Sequence, residues 1–335
     1  MDPKPQHLPQ PPGHSLSRVG GQEPPALAGT LQDLRALDRA SLAPLLAEEA
    51  ACLWEGPHWQ LRSLDEEARG IAWVDGDRAL GYLTLLLDGG TALAGRLFAS
   101  RRGPAQAVEE ALLGAAIRGA FGLPQVEQFC GELFLLTGGS LARVRQLWPG
   151  QVRDRCLLEV SWGQVPRPRD PEARPGLEPW VQGFLPAAAD LLVDVYGNRP
   201  GFWPGLQGVE PARASRLLED ITLRSEVGSF EAGASFVLRD DSGQGLAAFV
   251  LATRMGAGVG HLAQVAVASG SRRRGLGRAL VVRALEGLQA RGCTTTHLAV
   301  HEGNDPALAL YRGLGFQLRH RFLELRLGPS EAALA

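Results

Sequence analysis

Lysine is almost absent. Lys4 stands alone among 34 basic residues, so every other basic side chain is an arginine. This excludes the phosphate loop G-x-x-x-x-G-K-[ST], whose lysine reaches the β- and γ-phosphates. Cysteine is scarce as well. Cys52, Cys130, Cys156 and Cys293 lie far apart, with no C-x-x-C pair and no clustered histidines. That spacing argues against a disulfide framework and a zinc site and reads as buried thiols in a reducing cytoplasm, so no metal is expected. No apolar run approaches the ~20 residues of a membrane span. The opening stretch MDPKPQHLPQPPGHS lacks the apolar core of a secretory signal. Nor is there an excess of one charge: 34 basic against 36 acidic residues leave a net charge of −2. General nucleic-acid binders are usually strongly basic. Neither nucleic acid nor a membrane is therefore an expected partner, and a cytoplasmic location is expected.

What is present is apolar material for packed cores, 45% of 335 residues. At ~150 residues per domain the length predicts about two domains. Pro, Gln and Gly mark residues 1–28 as a disordered tail. The stretch GQVPRPRDPEARPGLEP, residues 163–179, carries five prolines and alternating charges and reads as a linker. The expected domains are 29–162 and 180–328, with 329–335 as a tail.

The second domain alternates cleanly. GFLPAAADLLVDVYG reads as a helix. ASFVLRD and GLAAFVLATRM read as a β-hairpin around DDSGQG, and HLAQVAVAS as a third strand. From Gly275 a helix is predicted, with Leu276, Leu280, Val281, Ala284, Leu285 and Leu288 on one face, ending at Arg291-Gly292. THLAV is the next strand, and NDPALALYRGLG a short helix opened by an Asn-Asp cap and Pro306. The strands flanking the Gly275 helix should be parallel, as in any β-α-β crossover. The first domain repeats this order: ALGYLTLLLDGG echoes GLAAFVLATRMG, ALAGRLFAS echoes HLAQVAVAS, SRRGPAQAVEEAL echoes RRRGLGRALVVRAL, and SLARVRQL echoes ALALYRGL. Four echoes in one order favour a duplicated α+β domain, each copy a mixed sheet flanked by helices.

The stretch SRRRGLGRAL, residues 271–280, carries the chemistry. A strand ends, a loop with two glycines turns, and a helix begins. The first helical N–H groups lack intrahelical partners and carry the positive end of the dipole. Glycines let a ligand approach the backbone, and successive N–H groups form an anion nest. Arg272, Arg273 and Arg274 add charge. A solvated basic turn and a phosphate site are both compatible with the loop alone. A dinucleotide-binding loop fits poorly, because the third position of G-x-G-x-x-G is Leu280 and GSRRR separates the strand from the first glycine.

The stretch from Leu262 to Phe316 resembles the GNAT superfamily of coenzyme A-dependent N-acetyltransferases. The signature Q/R-x-x-G-x-G/A matches Arg272, Gly275 and Gly277. A later signature matches Asn304, Ala307, Leu310, Tyr311, Gly315 and Phe316. The resemblance extends over roughly 183–327. The first domain resembles a degenerate copy, with Ser100 for the leading Q/R, Pro104 inside the loop and Val144 in place of the tyrosine. The arrangement is similar to the tandem copies of mycothiol synthase.

The resemblance implies acetyl-CoA as cofactor and a small-molecule or peptide amine as acceptor. Backbone N–H groups across Arg273 to Arg278 would hold the pyrophosphate. Main-chain groups of Ala266 and Val267 would pair with the pantetheine arm between two splayed parallel strands, and Asn304 would bond it. Tyr311 would face the sulfur. His261 falls where histone-acetylating members carry a glutamate, and an imidazole near pKa ~6.5 would serve as base at neutral pH. Gln264, Glu302, Tyr196, Asn198, Phe202, Trp203 and Asp220 are candidates for the acceptor pocket. A monomer or homodimer is expected. A non-catalytic acyl-CoA sensor and a dinucleotide-dependent oxidoreductase are the competing readings.

Overall fold

The computed structural model describes residues 27–54, 69–164, 176–196, 211–224, 228–256 and 258–334. The chain forms two compact units. Unit 1 comprises 1–55, 62–153 and 322–335, and unit 2 comprises 56–61 and 154–321.

Unit 1 contains β1 (Thr30–Asp33), α1 (Arg39–Trp54), β2 (Gly70–Asp75), β3 (Arg78–Asp88), β4 (Thr91–Ala99), α2 (Ala105–Phe121), β5 (Gln128–Leu133) and α3 (Gly138–Leu147). Strands β1 to β4 pair antiparallel in order, and β4 pairs parallel with β5. The apolar residues of α2 (Val108, Leu112, Leu113, Ile117) are buried against one face of this sheet. Leu42 and Leu45 of α1 pack with Tyr82 and Phe98 on the other.

The remaining elements are β6 (Val152–Ser161), β7 (Leu177–Pro179), α4 (Leu185–Tyr196), α5 (Pro211–Thr222), β8 (Ser229–Phe230), β9 (Phe236–Arg239), β10 (Leu246–Gly256), β11 (Val259–Val267), α6 (Leu276–Ala290), β12 (Thr295–His301), α7 (Asp305–Arg312) and β13 (Gln317–Leu327). The sheet of unit 2 runs β6-β12-β11-β10-β9-β7, with β8 also on β10. All its pairs are antiparallel except β11 with β12, which is parallel as the crossover demands. The apolar face foreseen for α6 is the one buried, with β10, β12 and α7. Helices α4 and α5 cover the opposite face over Val237, Phe249, Leu251, Ala263 and Ala266.

Three boundaries differ from the expectation. From Asp154 onward β6 lies in unit 2, where its residues Arg155–Ser161 pair with β12. Residues Phe322–Leu327 of β13 lie in unit 1, where Leu323–Leu327 pair with β5. Each unit therefore uses a strand from the sequence territory of the other, which a linear reading of the chain does not contain. Second, Leu177–Pro179, read as linker, form β7 on the free edge of β9. A proline is tolerated there because an edge strand leaves one side without ladder bonds. Residues 165–175 of that linker and 1–26 of the tail lie outside the described residues. Third, Glu331 of the expected C-terminal tail is engaged in unit 1: its carbonyl accepts from Trp148 Nε1 at 3.1 Å and its carboxylate from Gln151 Nε2 at 3.2 Å.

Helix α6 is fixed at its C-terminal end by charge and along its length by close approach. Arg291 donates to the buried carboxylate of Glu231 at 2.6 Å, and Arg254 lies 3.2 Å from the same group. Gly287 faces backbone: a Cβ there would stand 2.6 Å from Ala234 Cα and from the Gly233 carbonyl oxygen. Alanine would gain up to ~1 kcal/mol of helix propensity. Backbone cannot rotate aside as a side chain does, so the clash wins. Gly287→Ala is expected to lower stability by about 1–3 kcal/mol, read as a drop in the urea midpoint at unchanged slope. A midpoint that rises would mean that the two backbones are not in contact.

Candidate functional site

The parallel ladder between β11 and β12 holds for three positions: Val259↔Thr295, Gly260↔Thr296 and His261↔His297. Beyond His261 the two strands part. Strand β11 stays on β10 as far as Ala248↔Val267, with a register slip that leaves Ala263 as an extra residue. Strand β12 stays on β6 along its whole length, to His301↔Arg155. A bulge of this kind bends a strand and sharpens its twist, and here it turns β11 away from β12. The slot that opens is lined by main-chain groups of two strands. Such groups need partners, so the slot suits an extended ligand that carries its own amides.

The loop between β11 and α6 lies at the mouth of the slot. Arg273 adopts φ 60° and Gly275, the N-cap, φ 75° and ψ 7°, both left-handed. No side chain caps the first turn of α6. The N–H groups of that turn point outward with the positive dipole end, as in anion sites. Arg273, Arg274 and Arg278 are exposed beside them. Arg278 donates to the Gly313 carbonyl at 3.3 Å, and Arg274 approaches Asp241 at 4.0 Å. Arg272 folds back, its Nε donating to the Val267 carbonyl at 3.3 Å, so it braces the end of β11 instead of joining the exposed rim. A Cβ on Gly277 would stand 3.3 Å from Leu310 Cδ2 and 3.6 Å from Val267 Cγ2. The missing side chain keeps the gap between β11 and α7 clear.

Helix α7 supplies the opposite wall. Asn304 caps it, its side-chain oxygen accepting from Ala307 N at 3.4 Å. Tyr311 is buried, edge-on to Phe316 with ring centroids 5.7 Å apart. Burial, and then the nearby Tyr196, push its phenol well above the ordinary tyrosine value, so it remains an O–H donor throughout the neutral range. Gln264 Nε2 donates to Tyr196 Oη at 3.0 Å. Tyr196, Gln264 and Tyr311 are thus brought together, and they include two of the three tyrosines in the chain.

His261 departs from its expected behaviour. It is buried in β11, and its pKa is pushed down to about 3, chiefly by burial and then by the charge of His297; a hydrogen bond to the His297 backbone opposes this. It is neutral at physiological pH, yet a much weaker base than the free imidazole assumed from sequence. Glu302 pairs with Arg321 Nε at 3.0 Å in a contact exposed to solvent. Asp220 likewise pairs with Arg224 at 2.8 Å. Asn198, Phe202 and Trp203 lie outside the described residues. Sequence reasoning missed His297 and Glu159, whose side chains meet at 2.6 Å across 138 residues of chain. The one signal in the sequence was His297 itself, a titratable side chain in the strand read as THLAV.

Unit 1 has the same frame with another filling. Its parallel ladder also ends early, at Ala94↔Gly131, and β4 also slips register against β3. There, however, Arg101 donates to the Leu135 carbonyl beyond β5 and to the buried Glu109 of α2. Glu109 also accepts from Thr137 N at 2.9 Å and Thr137 Oγ1 at 2.7 Å, at the cap of α3. The carboxylate of Glu48 takes the loop itself, accepting from Ser100 Oγ at 2.7 Å and Arg101 N at 2.6 Å. Counting from Gly103 and Gly275, the residue answering Glu109 in unit 2 is Val281, fully buried among apolar side chains.

Comparison with known proteins bears on these two frames differently. Residues 200–316 match the Acetyltransferase (GNAT) family. A stretch of 99 residues is 36% identical to the mycothiol acetyltransferase of Beutenbergia cavernae, covering 30% of this chain and 33% of that protein. A stretch of 76 residues is 36% identical to the [ribosomal protein bS18]-alanine N-acetyltransferase of Salmonella typhimurium, covering 22% of this chain and 51% of that one. The matched segments thus span about a third and about half of these relatives. Among solved structures, a GCN5-related N-acetyltransferase from Sphaerobacter thermophilus superposes with TM-score 0.59 at 19% identity over 84% of this chain and 85% of that one. A tandem GNAT protein from the clavulanic acid biosynthesis pathway gives 0.60 at 16% identity over 90% and 98%. At these identities the likeness is one of fold. The chain carries an acetyltransferase domain of the GNAT family.

Proposed function

We propose that the protein is an N-acetyltransferase with one working site, in unit 2, which transfers an acetyl group from acetyl-CoA to a primary amine. The observation that carries the reading is the conjunction, within one unit, of the forked β11–β12 pair, the uncapped α6 N-terminus and the buried Tyr311. Acetyl-CoA, when bound, supplies an acyl group already activated as a thioester. The residues present fit it: the first turn of α6 and Arg273, Arg274 and Arg278 would hold its pyrophosphate, the main chain of Ala266 and Asn304 its pantetheine amides. Arg272 braces Val267 in this reading and contributes charge at longer range. A β11 N–H at the fork would polarise the thioester carbonyl as an oxyanion-type donor. Tyr311 would donate its O–H toward the thioester sulfur. Its raised pKa supports a role as hydrogen-bond donor and argues against full proton transfer. Tyr196 and Gln264 would bound the acceptor.

Unit 1 is read as a degenerate copy that supports unit 2 and does not turn over. Support comes from its filling: Glu48 occupies the loop where an anionic ligand would bind, and Arg101 ties the parted strand ends together. The relatives are named for mycothiol and for an alanine of a ribosomal protein, and a third structural neighbour is a glucosamine N-acetyltransferase region. Glucosamine, an alanyl peptide and simple alkylamines are therefore the first acceptors to test, with thiol release as the readout. A protein that is stabilised by acetyl-CoA yet releases no thiol with any of them would be a non-catalytic acyl-CoA sensor.

Two outcomes are expected. Acetyl-CoA should raise Tm by mass action, and Gly277→Glu, which places a side chain and a negative charge beside the anion site, should abolish the shift. Gly103→Glu meets open space in unit 1 and should leave both the shift and turnover within a few-fold of wild type. A shift that survives Gly277→Glu but not Gly103→Glu would reverse the assignment of the two units. Tyr311→Phe keeps the ring and removes only the hydroxyl. Losing a hydrogen bond to a charged group costs about 1.5–3 kcal/mol, so kcat and kcat/KM should fall together by about ten- to a hundredfold, with acetyl-CoA affinity unchanged. A full-speed variant would make Tyr311 a core residue only.

A further inference from the structure

An alkylamine at neutral pH is mostly an ammonium ion, with a pKa near ~10, and it must shed one proton before its nitrogen can attack. His261, at about 3, does not keep that proton. The structure offers a different holder beside it. Thr253, His261, His297 and Glu159 stand in register on the adjacent strands β10, β11, β12 and β6. Their common face is fixed by Gly260, whose Cβ would point at Leu288 of α6. His261 and its partners therefore face the other way, the side on which Gln264 meets Tyr196. The row lies on the last rung of the parallel ladder, where the slot begins. His297 Nε2 is 2.6 Å from Glu159 Oε2, and side-chain exposure rises from 3% at His297 to 28% at Glu159. The row thus leads from the fork to water. A buried polar row in an apolar sheet is costly unless each member is partnered, which makes it a poor choice for mere packing.

Other charged groups lie on the elements next to this row, among them exposed Arg213 and Arg216 of α5, and Arg319, His320 and Arg321 on β13, the other neighbour of β6. Along the same face of β6 and β12, Leu157 and Ala299 come next and Arg155 and His301 after them, and the charge of Arg155 also disfavours protonation of His261. Tyr196 closes α4. Asp190 and Asp194 of α4 are exposed, and Glu219 and Asp220 of α5 pair with Arg224.

We propose that the His297–Glu159 pair takes up and exports the proton lost by the acceptor ammonium, with His261 as the contact between the amine and the pair. This rests on the acetyltransferase reading of the same site. An N–H bond of the ammonium breaks and its electron pair stays on nitrogen. The proton passes by way of His261 to His297, whose charge Glu159 balances, and leaves to water at Glu159. The nitrogen loses its second proton to the sulfur, which departs as a thiol. One proton is released to solvent per acetyl transferred. His297 and Glu159 are positioning residues in this scheme, because they act on the amine through His261.

The test follows the pH dependence, using acetyl-CoA and whichever of glucosamine or the alanyl peptide turns over. Opposite charge favours the imidazolium form. Glu159→Gln should therefore move the acid limb of kcat/KM to lower pH by about one unit or more, with the KM for acetyl-CoA unchanged. The ring titration of His297, followed by NMR in the protein without ligands, should move the same way, and Glu159→Asp should restore both. His297→Gln should lower kcat/KM by up to about tenfold at pH 7 with the alanyl peptide, whose α-amine titrates near ~8, and the deficit should shrink as the pH passes that value. A deficit equal at every pH, or a His297 titration unmoved in Glu159→Gln, overturns the inference. A wild-type protein inactive on every acceptor overturns the acetyltransferase reading instead, and the ring titration still judges the pair by itself.

Discussion

Everything distinctive about unit 2 depends on a sheet that stops being a sheet. Three rungs of parallel pairing between β11 and β12 give way to a slot because each strand is held more strongly on its outer side. Strand β10 keeps β11 as far as Val267, and β6 keeps β12 as far as His301. Antiparallel pairing is slightly the more stable per residue. The fork is thus the place where two antiparallel claims outbid one parallel claim, and the bulge at Ala263 supplies the bend.

The two faces of that sheet divide the work. On the α6–α7 side, the packing of Leu280, Val281, Leu285 and Leu308 holds the helix start and Tyr311 at fixed offsets from the end of β11. On the α4–α5 side, a generally apolar layer is interrupted by Gln264, His261, His297 and Glu159. Ionisable groups are rarely placed in a core without partners, and these are partnered across neighbouring strands. Unit 1 solves the same geometric problem with its own side chains. Where the fork of unit 2 leaves a slot, Arg101 and Glu109 bridge the gap, at the cost of burying the Glu109 carboxylate, which is tolerated only while its partners are present.

Much of this was readable from residue order. The α6 face, its Gly292 end, the parallel neighbours and the Asn304 cap follow local rules: period, capping and crossover geometry. Arg272, Gly275, Gly277, Asn304 and Tyr311 could be named because they lie in two short motifs. What escaped was non-local. The pKa of His261 is set by depth and by a histidine on the next strand, neither visible in the stretch GHLAQ. Glu159 reaches His297 only because β6 joins the second sheet, and the sequence reading had closed the first domain just after β6. Glu302 looked like a site residue by proximity to the motif, but its rotamer serves Arg321.

The exchange of β6 and β13 between the units also bears on how the chain reaches its native state. The sheet of unit 1 is complete only when Leu323 lies opposite Leu133, a closure of about 190 residues. Loop-closure entropy of that kind must be met before the contact is rewarded, and high contact order slows folding. During synthesis the first unit must wait, with the edge of β5 unpaired, until almost all of the second has emerged. Unpaired strand edges in such waiting states are prone to aggregate. The protein is therefore two units in its packing but one unit in its folding: neither half of the chain has all the strands it needs to finish alone.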